Sequence, residues 1–450
     1  MIRFALLCTA LAVPLAPACA GDWPEFRGPG AQGHAPADET GLPVEWSFVA
    51  RKAAQNVVWA VDTPPGWSSP VVVGDRVYLT AAAPPRGGEA ELSALCLSTA
   101  DGSTLWEVPL FEKSTREKLH KKNSRASPTA VYAELGDGRT SPKGGRGGSL
   151  FVHFGPGGTA RLDAADGSVV WSREDITYPP VHGAGASPLL VKDAAGGPVL
   201  FFPCDGGTNP FVVALNALTG ETRWRKKRPD VGASKTFSFA TPLAVDPDGP
   251  GPAGEHILSQ ATDQVVAYDP ASGDALWAVP YSGFSVTPRP VVGRGKAFLS
   301  TGFMKPTVMA IDLKRAQAAG PPTDRGPANG AERAIAWEVA RGGPNTPSLL
   351  LIDDLLYFVS DNGIASCVEA DTGEKVWTER LGGNFSASPT FADGRIYWLN
   401  EDGGCTVTTA GRQFRKLAFN QLPGATLASP AISGGAIYLR TDSKLFKLAK

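Results

Sequence analysis

The sequence predicts an all-β fold, an eight-bladed β-propeller of four-stranded antiparallel blades, on three observations. A Gly-x-x-x-Trp motif recurs five times along the chain. A Ser/Thr-Pro step followed by an apolar run recurs eight times, about 51 residues apart on average, slightly above the ~40 to 50 residues of a propeller blade. The chain also turns often, with 52 Gly and 39 Pro among 450 residues, while its 42% hydrophobic content is enough to form a core.

The tryptophan motif marks the last strand of each repeat. Its five copies are Ser98-Gly102-Trp106, Asp163-Gly167-Trp171, Asn216-Gly220-Trp224, Asp269-Gly273-Trp277 and Glu369-Gly373-Trp377. Trp59 and Trp337 stand in the same strand pattern without the complete motif. Since a tryptophan has a large apolar face, we expect these seven side chains to pack between neighbouring blades.

The Ser/Thr-Pro steps mark the first strand of each repeat. They are Ser69-Pro70, Ser127-Pro128, Ser187-Pro188, Thr241-Pro242, Thr287-Pro288, Thr346-Pro347, Ser388-Pro389 and Ser429-Pro430. The sixth repeat shows the complete unit, with strands predicted over 347–352, 355–360, 365–370 and 375–380. Asp, Asn and Gly fill its turns, where their side chains or positive φ angles favour tight reversals.

Two repeats deviate from this pattern. In the fifth, Ala, Gly and Pro-rich residues from Arg315 to Arg333 separate the strands, and we expect a surface loop there. In the seventh, Arg415 stands where the tryptophan is expected, so Phe414 or Leu417 must fill the space. If this degenerate repeat is not a blade, the ring has seven blades instead of eight.

The ends of the chain indicate how the ring closes. The eighth repeat has three strands, ending near Leu448, and then the chain stops. The missing strand is predicted at the other end, over Asn56–Val61 around Trp59. Pairing of the two ends would leave no open blade at the junction. The predicted propeller therefore covers residues 56–450, and residues 21–55 form an N-terminal arm.

Residues 1–20 read as a secretory signal. Arg3 precedes the apolar run Phe4–Val13, and Ala18-Cys19-Ala20 resembles a cleavage site, so cleavage is expected after Ala20. Lipid attachment at Cys19 is the less favoured alternative, because Ala16 stands where a lipobox usually has Leu. No other stretch reaches about 18 apolar residues. The mature protein is expected to be periplasmic or secreted, without a transmembrane span.

Charge and metal-ligand patterns exclude several function classes. A net charge of -1 offers no general attraction for nucleic acid. The five His show no zinc or haem-attachment spacing, so no metal site is predicted. Four Cys remain beyond the signal. Cys96, Cys367 and Cys405 are predicted at equivalent positions of different blades, too far apart for a disulfide, so we expect free thiols; Cys204 is not placed.

Two local motifs are interpreted as structural. Gly28-x-Gly30-x-x-Gly33 follows no strand and begins no helix, so it is not expected to bind a nucleotide. The basic run from Lys113 to Arg125 could contact an acidic partner, but we favour a solvated loop.

The repeat Ala214–Trp224 resembles the A-x-D-x-x-T-G-x-x-x-W repeat of PQQ-like β-propellers, and Trp23–Gly30 is similar to the arm of secreted members. The resemblance covers residues 23–450. It implies a propeller fold but leaves function open, because the repeat occurs in quinoprotein dehydrogenases and in outer-membrane assembly proteins similar to BamB.

Candidate ligand-binding residues follow from the propeller geometry. The connections from the last strand of one blade to the first strand of the next surround one mouth of the central channel, which is the usual ligand site. The polar side chains predicted there are Arg125, His182, Lys235, Arg289, Asn345 and Asn384. Turn residues such as Asp205, Asp361 and Glu401 are expected nearby, and ordinary turn chemistry also accounts for them. No catalytic residue is assigned.

Three functions remain open at this point. We favour a non-catalytic binding or assembly scaffold, expected to be monomeric, that contacts an envelope protein or a small polar ligand and needs no cofactor. The first alternative is an oxidoreductase for an alcohol or sugar that uses PQQ and Ca²⁺. The resemblance then implies a calcium-binding set of Glu, Asn and Asp, a catalytic Asp and a Trp floor, and the sequence shows no such set and no Cys-Cys pair. The second alternative is an assembly factor similar to BamB.

Overall fold

The computed structural model describes residues 21–48, 54–84, 87–114, 117–136, 147–246, 256–323 and 326–450. The predicted signal peptide, with Cys19, lies outside these residues. Within them no helix is both long and apolar enough to cross a membrane.

The strands form eight four-stranded antiparallel sheets. β1 (Val57–Asp62) comes first in the chain, and blades 1 to 4 follow. They contain β2 (Val71–Val73), β3 (Arg76–Ala82), β4 (Glu89–Ser98) and β5 (Thr104–Ser114); β6 (Val131–Ala133), β7 (Ser149–His153), β8 (Thr159–Asp163) and β9 (Val169–Arg173); β10 (Leu189–Lys192), β11 (Pro198–Cys204), β12 (Phe211–Asn216) and β13 (Thr222–Lys227); β14 (Leu243–Val245), β15 (His256–Ala261), β16 (Gln264–Tyr268) and β17 (Ala275–Pro280).

Blades 5 to 8 continue in the same order. They contain β18 (Val291–Gly293), β19 (Lys296–Ser300), β20 (Val308–Asp312) and β21 (Ile335–Val339); β22 (Leu350–Ile352), β23 (Leu355–Val359), β24 (Ile364–Glu369) and β25 (Lys375–Arg380); β26 (Thr390–Ala392), β27 (Arg395–Leu399), β28 (Gly404–Thr409) and β29 (Lys416–Gln421); β30 (Ala431–Ser433), β31 (Ala436–Arg440) and β32 (Lys444–Leu448). One α-helix, α1 (Leu313–Ala319), and three short 3₁₀ segments (Pro29–Ala31, Gly155–Gly157, Ala331–Ala334) accompany the described strands.

The predicted eight-bladed ring and its closure are confirmed. The N-terminal β1 pairs with β32, with Val61 opposite Leu445, so both chain ends build blade 8. The seven-blade alternative is wrong, because β26–β29 form a complete sheet. The described cysteines Cys96, Cys204, Cys367 and Cys405 are all buried free thiols.

Neighbouring blades are joined by one repeated contact. Trp224 of blade 3 donates its indole N–H to the carbonyl of Pro270 in blade 4 at 2.9 Å and lies over Gly273, where an added Cβ would be 2.5 Å from the ring. Glycine thus permits the close approach of the two blades. Indole-to-carbonyl bonds of the same kind come from Trp59, Trp106, Trp171, Trp337 and Trp377.

Blade 5 departs from the predicted surface loop. Asp312 caps α1 by accepting from the backbone N–H of Arg315 at 3.0 Å, and the insertion turns Leu313 and Ala316 inward. These side chains share one buried cluster with Trp277 of blade 4. The insertion is therefore a packed element that covers Trp277, because alanine-rich sequence can form a helix against an apolar surface.

In blade 7 neither Phe414 nor Leu417 takes the tryptophan position, contrary to what the sequence had predicted. The β28–β29 register places Ala418, not Arg415, opposite Val407, where the other blades have their tryptophan. Phe414 packs on Trp377 of blade 6 instead. In this register Cys405 lies two residues before the strand position that corresponds to Cys96. The prediction that Cys405 and Cys96 occupy equivalent positions is therefore wrong.

The N-terminal arm lies across the ring and fills the space in blade 7. Trp23 exchanges backbone hydrogen bonds with Val72 in blade 1, and Trp46 stacks on Tyr397 in blade 7 with ring centroids 6.3 Å apart. Six of the other blades pair the corresponding aromatic residue with their own tryptophan, as in Tyr357 with Trp377 at 5.9 Å. The arm is therefore part of the propeller core.

Candidate functional site

A cavity of about 520 Å³ occupies the centre of the ring. It is lined by the segments that lead into the first strand of each blade, and by Phe26 of the arm. The arm crosses the channel beyond these segments, because Pro24 accepts a hydrogen bond from the backbone N–H of Tyr132 in β6. The cavity is thus a pocket with Phe26 at its closed end, and its size suits a small organic molecule.

A ring of hydroxyl groups surrounds the axis where the connections enter the first strands. In seven of the eight blades, the residue two positions before the first strand donates its backbone N–H to the hydroxyl of the corresponding residue in the next blade. Seven such bonds of 2.9–3.0 Å form around the axis. The hydroxyl ring consists of Ser69, Thr129, Ser187, Thr241, Ser348, Ser388 and Ser429, with Arg289 at the eighth position.

The hydroxyl ring corrects the predicted Ser/Thr-Pro register in three blades. In these blades the ring position is the residue after the proline, not the one before it. The ring residues are Thr129, Arg289 and Ser348, and the residues before the prolines are Ser127, Thr287 and Thr346. Proline stands beside the ring position and never at it, because the residue at that position donates its backbone N–H.

One wall of the cavity is aromatic. The Phe237 ring contacts the Phe284 ring with centroids 5.7 Å apart, and Phe284 contacts Phe303 at 5.6 Å. On the other side of Phe237, the series continues to His182 and His120, each step at 5.6 Å. The ammonium of Lys235 lies 4.3 Å from the Phe284 centroid, and Lys235 forms no ion pair with any described carboxylate. This wall can stack against a flat molecule and offers it a cation.

The opposite rim carries two carboxylates that share one internal cation. Lys122 Nζ is 2.6 Å from Glu401 Oε1 and 3.9 Å from Asp361 Oδ1. Asp361 also accepts the backbone N–H of Asn345 at 2.6 Å and the hydroxyl of Thr346 at 2.8 Å. Both acids are therefore largely satisfied by protein groups.

The closed end is held by an ion pair between the buried Arg289 and the half-buried Glu25. Both terminal nitrogens of Arg289 lie 3.0 Å from Glu25 Oε2, and Arg289 also donates to the carbonyls of Phe26 and Pro242. The Arg289 side chain is 0% exposed. Burial raises the pKa of Glu25, and Arg289 opposes that increase.

Three of the six predicted ligand-binding residues line this cavity, namely His182, Lys235 and Asn345. The structure places the other three elsewhere. Arg125 lines a small neighbouring cleft and donates to the carbonyl of Glu117 at 3.3 Å. Asn384 is exposed outside the cavity lining, and Arg289 is used for the contact with the arm. All three belong to connections between blades, but the direction of each side chain decides what it contacts.

Sequence reasoning missed several cavity residues. His120, Lys122 and Asn123 belong to the basic run that was interpreted as a solvated loop, yet all three line the cavity. Phe237 and Phe284 were missed because they belong to no repeat motif. The available signal was their place in the connections between blades, where aromatic side chains are not needed for turns.

Comparisons with known proteins agree with this architecture. A family profile described as outer membrane protein assembly factor BamB matches residues 48–227, 208–352 and 327–449. Methanol dehydrogenase (cytochrome c) subunit 1 of Methylobacterium organophilum is 27% identical over 147 residues, which are 30% of this chain and 22% of that protein. The chain thus spans about a fifth of the length of this relative.

Solved structures share the fold at low sequence identity. BamB from Moraxella catarrhalis has a TM-score of 0.54 and 15% identity, covering 88% of this chain and 99% of that one. A europium-containing methanol dehydrogenase has a TM-score of 0.61 and 13% identity, covering 94% and 90%. Because the family profile matches nearly the whole ring, this chain belongs to the PQQ-like β-propeller family described as outer membrane protein assembly factor BamB.

Proposed function

We propose that this protein is a non-catalytic binding scaffold of the cell envelope whose central cavity takes a small molecule with a flat apolar body. The observation that carries the proposal is the aromatic wall, in which Lys235 lies 4.3 Å from the Phe284 ring. Stacking supplies affinity for a flat body, and an ammonium that pairs with no described carboxylate selects an electron-rich or anionic group on it. The envelope location rests on the predicted signal and on the family description.

Relatives named methanol dehydrogenase raise the question of a quinone with calcium. The described residues do not fit that pair. The carboxylates Asp361 and Glu401 already share the ammonium of Lys122, and the described residues contain no group of three His, Cys, Asp or Glu that could hold a metal ion. Phe26 stands at the closed end, where the resemblance implied Trp. We therefore derive no oxidation step for this chain.

The proposal is tested by ligand binding to the full-length protein. A panel of small aromatic and aliphatic compounds is screened by thermal shift, and each hit is measured by calorimetry. Phe284→Ala should weaken an aromatic hit about fivefold, since a lost ring contact removes about 1 kcal/mol.

Phe419→Ala is the matched control, because Phe419 is 50% exposed on β29, away from the cavity. An aromatic hit that binds both variants equally would contradict the proposed cavity. Dye-linked oxidation of methanol or another alcohol in the presence of PQQ and Ca²⁺ would contradict the non-catalytic role.

A second candidate is an assembly factor that pairs a client strand with an outer blade edge. Four apolar side chains on the outer strands of the consecutive blades 7, 8, 1 and 2 are 46–51% exposed. In that order they are Phe419, Val58, Leu105 and Val169. Outer strands leave backbone groups free, and apolar side chains beside them favour strand addition. Leu105→Lys with Phe419→Lys should weaken binding of a purified, unfolded outer-membrane β-barrel protein; unchanged binding would contradict this candidate.

A further inference from the structure

We infer that the hydroxyl ring is an oxyanion-binding site at the inner end of the cavity, so that the ligand enters with a carboxylate or phosphate-like group first. This inference rests on the proposed function, because it names the chemical class of the ligand in the same cavity. It stands on three observations: the unused protons of the ring, the excess of buried positive charge around it, and its position in the cavity lining.

The seven hydroxyl groups of the ring are donors that have no acceptor among the described residues. Each hydroxyl oxygen accepts a backbone N–H from the preceding blade, as Ser429 does from Ser388 at 2.9 Å. None of the seven donates its own proton to another described protein group. Their side chains belong to residues that are at most 5% exposed, and all seven line the cavity. A buried hydroxyl without an acceptor costs free energy, so the ring has seven protons to offer to a bound molecule.

Buried positive charge surrounds the ring. Arg440 donates to the carbonyl and the hydroxyl of Ser68, next to Ser69 of the ring, at 3.2 and 2.6 Å. Arg27 donates to the carbonyls of Leu349 and Pro389 at 2.6 and 3.4 Å. These two residues directly follow Ser348 and Ser388 of the ring. Neither guanidinium has a carboxylate partner among the described residues. Arg289, at the eighth ring position, differs from both because it is paired with Glu25.

These guanidinium groups stay charged at neutral pH. Burial lowers the pKa of Arg440 to about 9, and burial together with the charge of Arg289 lowers that of Arg27 to about 9. Arg27 and Arg440 are therefore two buried positive charges beside the hydroxyl ring that no described carboxylate neutralises. In a low-dielectric site this excess attracts an anion.

The combination selects an oxyanion over other occupants. A cation would meet hydroxyl protons and net positive charge, and a neutral sugar would leave that charge unbalanced. Carboxylate and phosphate oxygens accept several hydrogen bonds at once, and each charge-assisted bond is stronger than a neutral one. The acids Asp361 and Glu401 do not oppose this, because they lie at the rim and share Lys122.

The test titrates the full-length protein with sodium salts of phosphate, sulfate, acetate and benzoate at constant ionic strength, followed by melting temperature and calorimetry. A bound oxyanion raises the melting temperature along a saturating curve, whereas a general salt effect rises without saturation. A saturating curve for phosphate alone would assign the site to inorganic anions, and one for the carboxylates would assign it to organic acids. Curves that never saturate would overturn the inference, and this measurement needs no variant.

Variants connect the binding to the ring. Ser388→Ala removes one donor and should lower oxyanion affinity at least fivefold. Ser388→Thr keeps the hydroxyl and should restore binding. Ser366→Ala is the matched control, because the Ser366 hydroxyl already contacts Thr378 at 3.4 Å in blade 6, outside the cavity lining. Equal affinity in all three variants would overturn the inference.

The two proposals fail separately. An aromatic ligand that depends on Phe284 but not on Ser388 would retain the proposed function and overturn the oxyanion site. Saturable inorganic anion binding that depends on Ser388, with no organic ligand found, would retain the oxyanion site and overturn the proposed function.

Discussion

Trp46 of the N-terminal arm stacks on Tyr397 of blade 7, with centroids 6.3 Å apart and the ring planes at 24°. In six other blades the equivalent aromatic residue contacts a tryptophan of its own blade, as Phe201 contacts Trp224 at 5.8 Å. The arm therefore supplies a side chain that the degenerate seventh repeat lacks. It is held there by Asn420, whose side-chain oxygen accepts the backbone N–H of Trp46 at 2.9 Å.

Trp46→Ala is expected to destabilise the whole ring by about 3–5 kcal/mol, because it empties a buried aromatic site. Chemical denaturation followed by fluorescence and circular dichroism measures this cost. Phe419→Ala serves as the control, since Phe419 is 50% exposed and should cost well under about 1 kcal/mol. Equal costs for the two variants would show that the arm only rests on the surface.

Glu25 of the arm and Arg289 of blade 5 form an ion pair, and we expect the stability effects of replacing them to be coupled. Glu25→Gln and Arg289→Met should each cost about 3 kcal/mol, because the first leaves the buried Arg289 and the second the half-buried Glu25 without its partner. The double variant should cost about 2 kcal/mol less than the sum of the single variants, since no unpaired charge remains. A double-mutant cycle by urea denaturation measures the coupling, and strict additivity would refute it.

Gly273→Ala tests the contact between blades. Both Gly273 and Gly295 have positive φ, at 73° and 71°, so alanine is strained at either site by about 1 kcal/mol. Only at Gly273 does an added Cβ meet the Trp224 ring, at 2.5 Å, while nothing lies within 4 Å of it at Gly295. Gly273→Ala should therefore cost about 2 kcal/mol more than Gly295→Ala, as thermal denaturation would show.

Acid should destabilise the protein through His153. Burial lowers the pKa of His153 to about 3 from the ordinary 6.5, and its Nδ1 contacts the Thr159 hydroxyl at 2.8 Å. Below pH 6.5 the unfolded chain takes up a proton that the folded chain does not bind. The stability contributed by this residue is complete above pH 6.5 and falls by about 1.4 kcal/mol for each pH unit below it, until about pH 3.

The measurement is the free energy of unfolding between pH 7 and 4 for the wild-type protein and for His153→Gln. The variant should be less stable at pH 7 but show a shallower decline toward pH 4. Parallel curves would exclude His153 as a source of the acid sensitivity.

Removal of residues 422–450 is expected to prevent folding, because β1 then loses β32 as its partner. Removal of Ala449 and Lys450 alone is the control, since β32 ends at Leu448. Expression, size-exclusion chromatography and thermal denaturation compare the two truncated chains. A soluble longer truncation that melts cooperatively would contradict closure of the ring by both chain ends.

Repeats determined what could be predicted from the sequence. The tryptophan motif and the steps before the first strands identify the blades, because each blade must meet the same packing and turn requirements as its neighbours. The strand around Trp59 was predictable because the eighth repeat lacked one strand. The arm was predictable as a segment, but its contacts with Tyr397 and Arg289 join residues more than 250 positions apart in the chain.

The site depends on contacts between distant parts of the chain. The eight-bladed ring with polar connections at one face could be predicted from the amino-acid sequence, since periodic spacing reports local strand and turn requirements. The sequence could not show that Lys122 reaches Glu401, that Arg289 is buried against Glu25, or that Ser69 and Ser429 are adjacent. These residues become neighbours only when the ring closes, and the direction of each side chain then depends on the packing around it. The hydroxyl ring exists only because eight separate positions converge on one axis.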